Sequence, residues 1–537
     1  MHAESFKTFK ELLSNSQEKY GERDAFRIWS NDGSIQGITY NQLYADVISL
    51  GTALTSIGLR GKTIAVIGEN RYEWSLPFLT IVCGVGIVAT LDKELTAEEL
   101  SIMIAKGNIS AVIFSKSVKG KIDEICAYNP DLIAICMDDI EAAHTLPQLL
   151  LQGKTELENG NSDYLNAPVN GEEFSVLVFT SGTSGNAKGV MLSQYNICYD
   201  IWAAQLNLQI TFEDIFLSIL PVHHIYECML GFLLPLYCGS ITYFSQGLRY
   251  VFQELHKVKP SVLVSVPLII ETIHSQLILK AKNEKLELAP AHLHEVLGGN
   301  LKRLFCGAAP LNPEVAKFFR DYGICLIKGY GLSETSPIIA TEFITDHKPQ
   351  SVGAPLKGIT VKISDPDEEG IGEITVKGPI VMMGYFNDSE ATREVLKDEW
   401  FYTGDLGYLD KDGWLFITGR KKHIIILKNG KKVSPEEIEI LLCRSDYIKE
   451  ALIWGIENEK NNIVITADIL PDFERLKNDL DLAREEAAGI KKRIEQEVTA
   501  LNHQLPFYKR IEKIVLRESE FEKTTTKKIK RHLEELK

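Results

Sequence analysis

The segment Phe179–Val190, FTSGTSGNAKGV, gathers four hydroxyl residues (Thr180, Ser181, Thr183 and Ser184) and three glycines (Gly182, Gly185 and Gly189) around Lys188. Glycines let backbone N–H groups converge on an anion, hydroxyls add donors, and a lysine supplies a point charge. That donor set suits the polyphosphate tail of a nucleotide. The Walker spacing GxxxxGK[ST] is absent, so a P-loop NTPase is excluded on spacing. The competing account is a Gly/Ser linker with no ligand. Such linkers seldom follow an apolar strand and carry one lysine so placed.

A loop of this kind needs a sheet to hold it, and the sequence supplies one. Short apolar β-type runs (KTIAVIGEN, GIVATLD, ISAVIFS, LIAICMD, FSVLVFT, GSITYFS, PSVLVSVP) alternate with helical-period segments such as FKELLSNSQEKY, NQLYADVISLGTALTSIGL and TAEELSIMIAKG. The alternation predicts α/β layers around largely parallel sheets. From about Gly353 the texture changes to short strands broken by turns, which predicts a smaller, more antiparallel subdomain. Residues 473–503 read as helix with a solvated charged face. No repeat or low-complexity segment is visible.

Composition narrows the class. The 537 residues are 45% hydrophobic and 24% charged, with 58 Lys+Arg against 73 Asp+Glu and a net charge of −15. A chain this long buries large cores without disulfides or metals. The net negative charge argues against nucleic-acid binding, which needs a basic field. Nine scattered cysteines without a CxxC pair read as reduced thiols of a cytoplasmic protein. The first residues show no secretory signal. Two uncharged runs, Trp74–Leu91 and Cys228–Leu248, reach spanning length but are broken by Pro77, Gly84, Gly86, Gly231, Pro235 and Gly239. Helix followed by buried strand is the expected parse of the first. Peripheral contact with a membrane stays open, and no motif speaks to oligomeric state.

Six further segments fall in a fixed order along the chain: Leu220–Glu227 (LPVHHIYE), Gly307–Pro310 (GAAP), Gly329–Thr335 (GYGLSET), Tyr402–Gly407 (YTGDLG), Val433–Glu439 (VSPEEIE) and Glu522–Arg531 (EKTTTKKIKR). With the loop at Lys188, they resemble the adenylate-forming superfamily of acyl- and aryl-CoA synthetases, luciferases and peptide-synthetase adenylation domains. The resemblance spans nearly the whole chain. Ala187 stands where the family has proline in its loop, which loosens the loop without removing a donor. Glu522 and Lys527 replace a proline and a glycine of the C-terminal motif.

The resemblance implies an adenylate-forming fold of class α/β. A large N-terminal domain of layered α/β sheets (1–420) would include a β-rich subdomain (353–420), and a small mobile α+β C-terminal domain (421–537) would follow. By motif register, Thr180, Ser181, Gly182, Thr183, Ser184, Gly185 and Lys188 hold the phosphates. Gly307, Ala308 and Ala309 line the adenine side. Tyr330 and Gly331 face the base, and Ser333 donates to the α-phosphate. Glu334 is the metal residue, offering a hard oxygen to Mg2+. Asp405 accepts from the ribose hydroxyls, Arg420 contacts ribose and phosphate, and Lys422 is the hinge. His224 lies near the acyl carboxylate, and Lys528 is the catalytic lysine, with Lys527 adjacent to it.

The chemistry implied is ligation in two steps. A carboxylate attacks the α-phosphorus of Mg·ATP to give an acyl-adenylate and pyrophosphate, and the thiol of CoA then displaces AMP. Apolar walls and the VPLIIETIH segment resemble long-chain enzymes, so a long-chain fatty acid is the expected substrate. The partners are therefore small molecules: fatty acid, ATP and CoA. A carrier-protein thiol as acceptor, and a non-catalytic nucleotide-binding relative, remain as alternatives.

Overall fold

A computed structural model describes residues 5–29, 33–180, 187–284, 290–428, 431–458, 463–480, 486–523 and 529–531. The chain divides into two compact units, Met1–Thr360 with Val376–Phe401, and Val361–Thr375 with Tyr402–Lys537. The expected boundary at 420/421 lies inside the second unit. Strands Thr360–Ser364 and Gly372–Lys377 join one sheet with Trp400–Leu409 and Leu415–Arg420.

The first unit is built on two large sheets. In one, the strands run in the order Gly384–Tyr385, Lys188–Ser193, Phe174–Thr180, Ile87–Leu91, Thr63–Ile67, Ile109–Phe114, Ile133–Cys136, His144–Thr145. Pairing is parallel from Phe174–Thr180 onward, and antiparallel at the edge that carries Lys188. The parallel strands read as unbroken apolar runs because both faces are covered: Ala65, Ile67, Ala89, Val112 and Leu177 are buried in one cluster with Leu100, Ile104 and Ile122 from flanking helices. The second sheet runs Ala354–Pro355, Ala340–Thr341, Cys325–Tyr330, Arg303–Cys306, Val262–Ser265, Ile215–Ser218, Ile241–Phe244, Asp24–Trp29, Ile35–Thr39. Its middle is parallel and its outer pairs are antiparallel.

The two uncharged runs fold as local pattern dictates. Helix Tyr72–Thr80 passes into a wide turn at Ile81–Val85, Gly84 takes φ 152°, and strand Ile87–Leu91 follows. The second run coils through Cys228–Leu233 and Leu234–Cys238 before strand Ile241–Phe244. Among the described residues no helix is long and apolar enough to cross a membrane. All nine cysteines are free thiols.

In the second unit, strands Trp400–Leu409 and Leu415–Arg420 form a hairpin beside Gly372–Lys377. A three-stranded sheet of Ile448–Glu457, Ile463–Pro471 and Lys513–Leu516 packs against helices Pro435–Leu442 and Ala487–Gln504. Helix Ala487–Gln504 buries Ile490, Ile494, Val498 and Leu501, a single stripe at helical spacing. Lys491, Lys492 and Glu495 occupy the solvated face, as the pattern predicts, whereas Arg493 is half-buried over the Tyr447 ring. The single helical stretch expected over 473–503 is two helices, the first being Phe473–Leu480.

Candidate active site

Thr180 and Lys188 face each other as the last pair of an antiparallel ladder, Thr180↔Lys188, after Phe179↔Gly189. The strands on either side of the phosphate-loop segment thus pair antiparallel with each other. Ser181, Gly182, Thr183, Ser184 and Gly185 lie outside the described residues. Lys188 is half-buried, with Nζ 4.6 Å from the centroid of the Tyr385 ring. Such contacts hold an ammonium in place at a cost far below full desolvation.

Tyr385 is placed there by backbone pairing. Strand Gly384–Tyr385 joins the edge of Lys188–Ser193 through Tyr385↔Val190 and Gly384↔Met191, and Phe386 N–H donates to the Gly189 carbonyl at 2.7 Å. The same tyrosine donates its hydroxyl to Glu334 Oε1 at 2.9 Å. The Glu334 carbonyl accepts from Met382 N–H at 2.9 Å. Lys188 and Glu334, separated by most of a domain in sequence, therefore meet on one phenol. A Gly-Tyr pair in a short strand carries no charge or spacing signal, so nothing in the sequence marks Tyr385.

Helix Gln194–Leu208, which follows the Lys188 strand, fastens the opposite side. Asn196 Nδ2 donates to the carbonyls of Pro379 at 2.6 Å and Val381 at 3.1 Å. One turn on, Asp200 accepts from Ile338 N–H at 2.9 Å. Asp200 is fully buried, its other oxygen has no partner, and burial raises its pKa well above the ordinary carboxylate value. Ser336 Oγ donates to the Ile380 carbonyl at 2.8 Å, completing the brace between residues 336–338 and 379–381. Neither Asn196 nor Asp200 stood out in the sequence, since polar residues on a helix read as a solvated face.

The loop Tyr330–Thr335 leaves the carboxyl end of strand Cys325–Tyr330, the end where α/β sheets bind ligands. Gly331 is demanded by sterics, because a Cβ there would lie 1.7 Å from the Pro337 carbonyl oxygen. The turn Ser333–Thr335 is closed by Thr335, whose hydroxyl accepts from Leu332 N–H at 3.0 Å. Ser333 is not the cap, and its side chain is half-buried alongside those of Tyr330 and Glu334. The next strand, Arg303–Cys306, ends at Gly307, Ala308 and Ala309. Ala308 takes φ +71°, and it and Ala309 are exposed. A Cβ on Gly307 would sit 3.0 Å from the Tyr226 ring, so the His224 segment packs directly on this loop.

Of the two histidines, His223 is the core residue. Its carbonyl accepts from Thr90 Oγ1 at 2.9 Å, and its ring lies 4.2 Å from that of His224. His223 Nε2 is 3.5 Å from Asp92 Oδ2, beyond hydrogen-bond geometry and without a partner. Burial, helped by Lys93, depresses its pKa to about 3. The ring is neutral, so the approach to Asp92 is not an ion pair. His224 is half-buried, which leaves it as the member of the pair that a ligand can reach. Glu227, one turn further, is wholly buried, and burial lifts its pKa to about 8 against a smaller opposing effect of the Ser218 hydroxyl.

In the second unit, Asp405 and Arg420 are direct cross-strand partners, with Arg420 Nε 2.7 Å from Asp405 Oδ1. Lys422 is exposed in the turn Lys421–His423. Around it, Lys421 pairs with Glu373 at 2.7 Å, His423 Nδ1 with Glu436 at 2.5 Å, and Ser434 Oγ donates to the Thr418 carbonyl. Ser434 precedes helix Pro435–Leu442 as expected, but its hydroxyl serves Thr418 rather than the helix end. Lys527 and Lys528 lie outside the described residues. Their flanks are described: Lys523 bridges to Ile529, and Arg531 pairs with Glu439.

Comparison with known proteins identifies the family. The AMP-binding enzyme family matches residues 13–386, and the AMP-binding enzyme C-terminal domain matches residues 422–535. Fatty acyl-CoA synthetase A of Dictyostelium discoideum is 28% identical over 493 residues, covering 82% of this chain and 73% of that protein. Long-chain-fatty-acid–CoA ligase FadD15 of Mycobacterium bovis is 27% identical over 478 residues, covering 81% and 78%. The crystal structure of the anthranilate CoA ligase AuaEII in complex with anthranoyl-AMP superposes with a TM-score of 0.82 at 20% identity, covering 99% of this chain and 97% of that one. That likeness establishes the fold. The two family matches take in most of the sequence, and the chain belongs to the AMP-binding enzyme family, the adenylate-forming group to which its motif order points.

Proposed function

We propose that this protein is a long-chain fatty acid–CoA ligase, which activates its acid as an acyl-adenylate and then transfers the acyl group to CoA, releasing AMP and pyrophosphate. The observation that carries the reading is the meeting of Lys188 and Glu334 on Tyr385. It sets a cation and a hard carboxylate oxygen beside the loop expected to hold phosphates. Relatives named for fatty acyl and long-chain acyl ligation support the substrate class.

The donor chemistry fits Mg2+ carried in on the nucleotide. Among the described residues no cluster of three His, Cys, Asp or Glu could cage a metal, and Mg2+ characteristically takes one or two carboxylates plus substrate phosphates and water. Glu334 is the residue that would hold it, and the ion would neutralise phosphate charge. The chain's own groups do the rest. A carboxylate is a poor electrophile, and conversion to a mixed anhydride supplies a leaving group. Lys188 and the 180–188 loop orient the β- and γ-phosphates, and Ser333 donates to the α-phosphate. Tyr330 stacks on the base, Asp405 accepts the ribose hydroxyls, and Lys528 neutralises charge at the reacting phosphorus. His224 lies by the acyl carboxylate. A swing of residues after Lys422 between the two steps would exchange Lys528 for the thiol.

The test is AMP release across a panel of acids from acetate and benzoate to long-chain fatty acids, with free CoA, with a holo-carrier protein, and with neither. Release that requires CoA and peaks at long chains supports the reading. A preference for acetate or benzoate overturns the substrate, a preference for the carrier thiol overturns the acceptor, and no fatty-acid-dependent turnover at all leaves a non-catalytic relative.

A further inference from the structure

We infer that Tyr385 is the positioning residue that couples the phosphate-loop lysine to the metal carboxylate, so that Mg2+ and the phosphate tail are bound as one unit. The inference rests on the proposed nucleotide role of Lys188 and Glu334. Three observations carry it. The phenol hydroxyl occupies Glu334 Oε1 at 2.9 Å, leaving Oε2 without a partner among the described residues and therefore open to a metal. The ring face carries Lys188 Nζ at 4.6 Å. The backbone of Tyr385 is locked to the lysine's own strand through Tyr385↔Val190, while Met382 N–H, three residues earlier, holds the Glu334 carbonyl at 2.9 Å.

The physical argument concerns freedom lost on binding. A glutamate at the head of a turn has three side-chain torsions to fix before it can ligate, and a lysine has four. A donor on one carboxylate oxygen selects the rotamer and aims the other oxygen, as outer-shell partners of metal ligands do. A ring under the ammonium confines it without neutralising it, which an acidic partner would do. One side chain therefore pre-orders two groups of opposite charge at a fixed separation. The brace made by Asn196, Asp200 and Ser336 keeps the two segments that carry these groups from drifting apart.

Equilibrium binding of ATP to the full chain, in Mg2+ and in EDTA, tests this without relying on turnover. Tyr385→Phe keeps the ring and loses the hydroxyl. It should raise the Kd for ATP in Mg2+ about ten-fold, the usual cost of losing an outer-shell partner, and leave the Kd in EDTA unchanged. Tyr385→Leu should weaken binding in both buffers, because the lysine's platform is also gone. Tyr385→His, which retains a planar donor, should recover part of the Mg2+ dependence. In a Glu334→Gln background, Tyr385→Phe should add nothing. Melting temperatures report folding of each variant. Equal weakening in both buffers by Tyr385→Phe, or wild-type binding in both, overturns the inference. Failure of the unaltered protein to bind ATP in either buffer overturns the proposed function instead.

Discussion

Asp405 and Arg420 face each other across a two-stranded ladder, guanidinium Nε to carboxylate Oδ1 at 2.7 Å, with the aspartate buried and the arginine about one-third exposed. By motif register both residues are expected to contact the same ribose, and the structure places them as neighbours. A side-on contact through Nε engages the Oδ1 oxygen of the carboxylate. The strand register that aligns them is produced by the irregularity between Leu406 and Gly407, after which the pairing resumes one residue out of step.

Asp405→Asn should therefore damage recognition of the sugar more than the fold. Loss of a charged acceptor to a hydroxyl is worth about 1.5–3 kcal/mol, roughly a ten- to hundred-fold rise in the KM for ATP. The unaltered enzyme should discriminate ATP from 2′-deoxy-ATP and 3′-deoxy-ATP, and the variant should not. An undiminished preference for the ribonucleotide in the variant would remove Asp405 from the ribose site.

Lys528→Ala separates the two half-reactions. Adenylate formation from acid and ATP, followed as pyrophosphate release, should be abolished, because the amine at the reacting phosphorus is gone. Thioester formation from supplied acyl-adenylate and CoA should proceed at a rate within a few-fold of the unaltered enzyme. Lys527→Ala serves as the neighbouring control and should retain both. Equal loss of both half-reactions in Lys528→Ala would count against its assignment.

Glu227 gives the stability of the first unit a pH signature. Its folded pKa, lifted to about 8 by burial, lies above the ordinary glutamate value of 4.5. The folded form thus holds a proton that the unfolded form releases. This contribution is fully present below pH 4.5 and is lost as pH rises to about 8. The slope across that window is about 1.4 kcal/mol per pH unit. Glu227→Gln carries no titrating proton, so urea midpoints of the two proteins should diverge steadily in the variant's favour from pH 5 to pH 8. Parallel curves would mean that the carboxyl is solvated or paired.

Much of the architecture was legible because local rules act over a few residues. The helix at FKELLSNSQEKY lies at Phe9–Tyr20, as its apolar spacing and the preceding Thr8 cap require. The strand FSVLVFT lies at Phe174–Thr180, and the runs around Ile64, Val88 and Val112 are buried strands. Pro77 and the glycines after it separated a buried helix and strand from a membrane span.

By itself, the sequence determined the order of motifs and the α/β class, and it set the expectation of a phosphate-binding loop around Lys188. Each of these resides in residue types, in short spacings or in hydrophobic period. Only the tertiary structure decided that Lys188 and Glu334 share Tyr385, that His223 is the neutral core histidine while His224 stays accessible, and that Asn196 and Asp200 brace the site from one helix face. Those relationships join residues tens to hundreds of positions apart. They are set by sheet order, strand register and burial, quantities that arise when layers pack and that no local window of sequence contains.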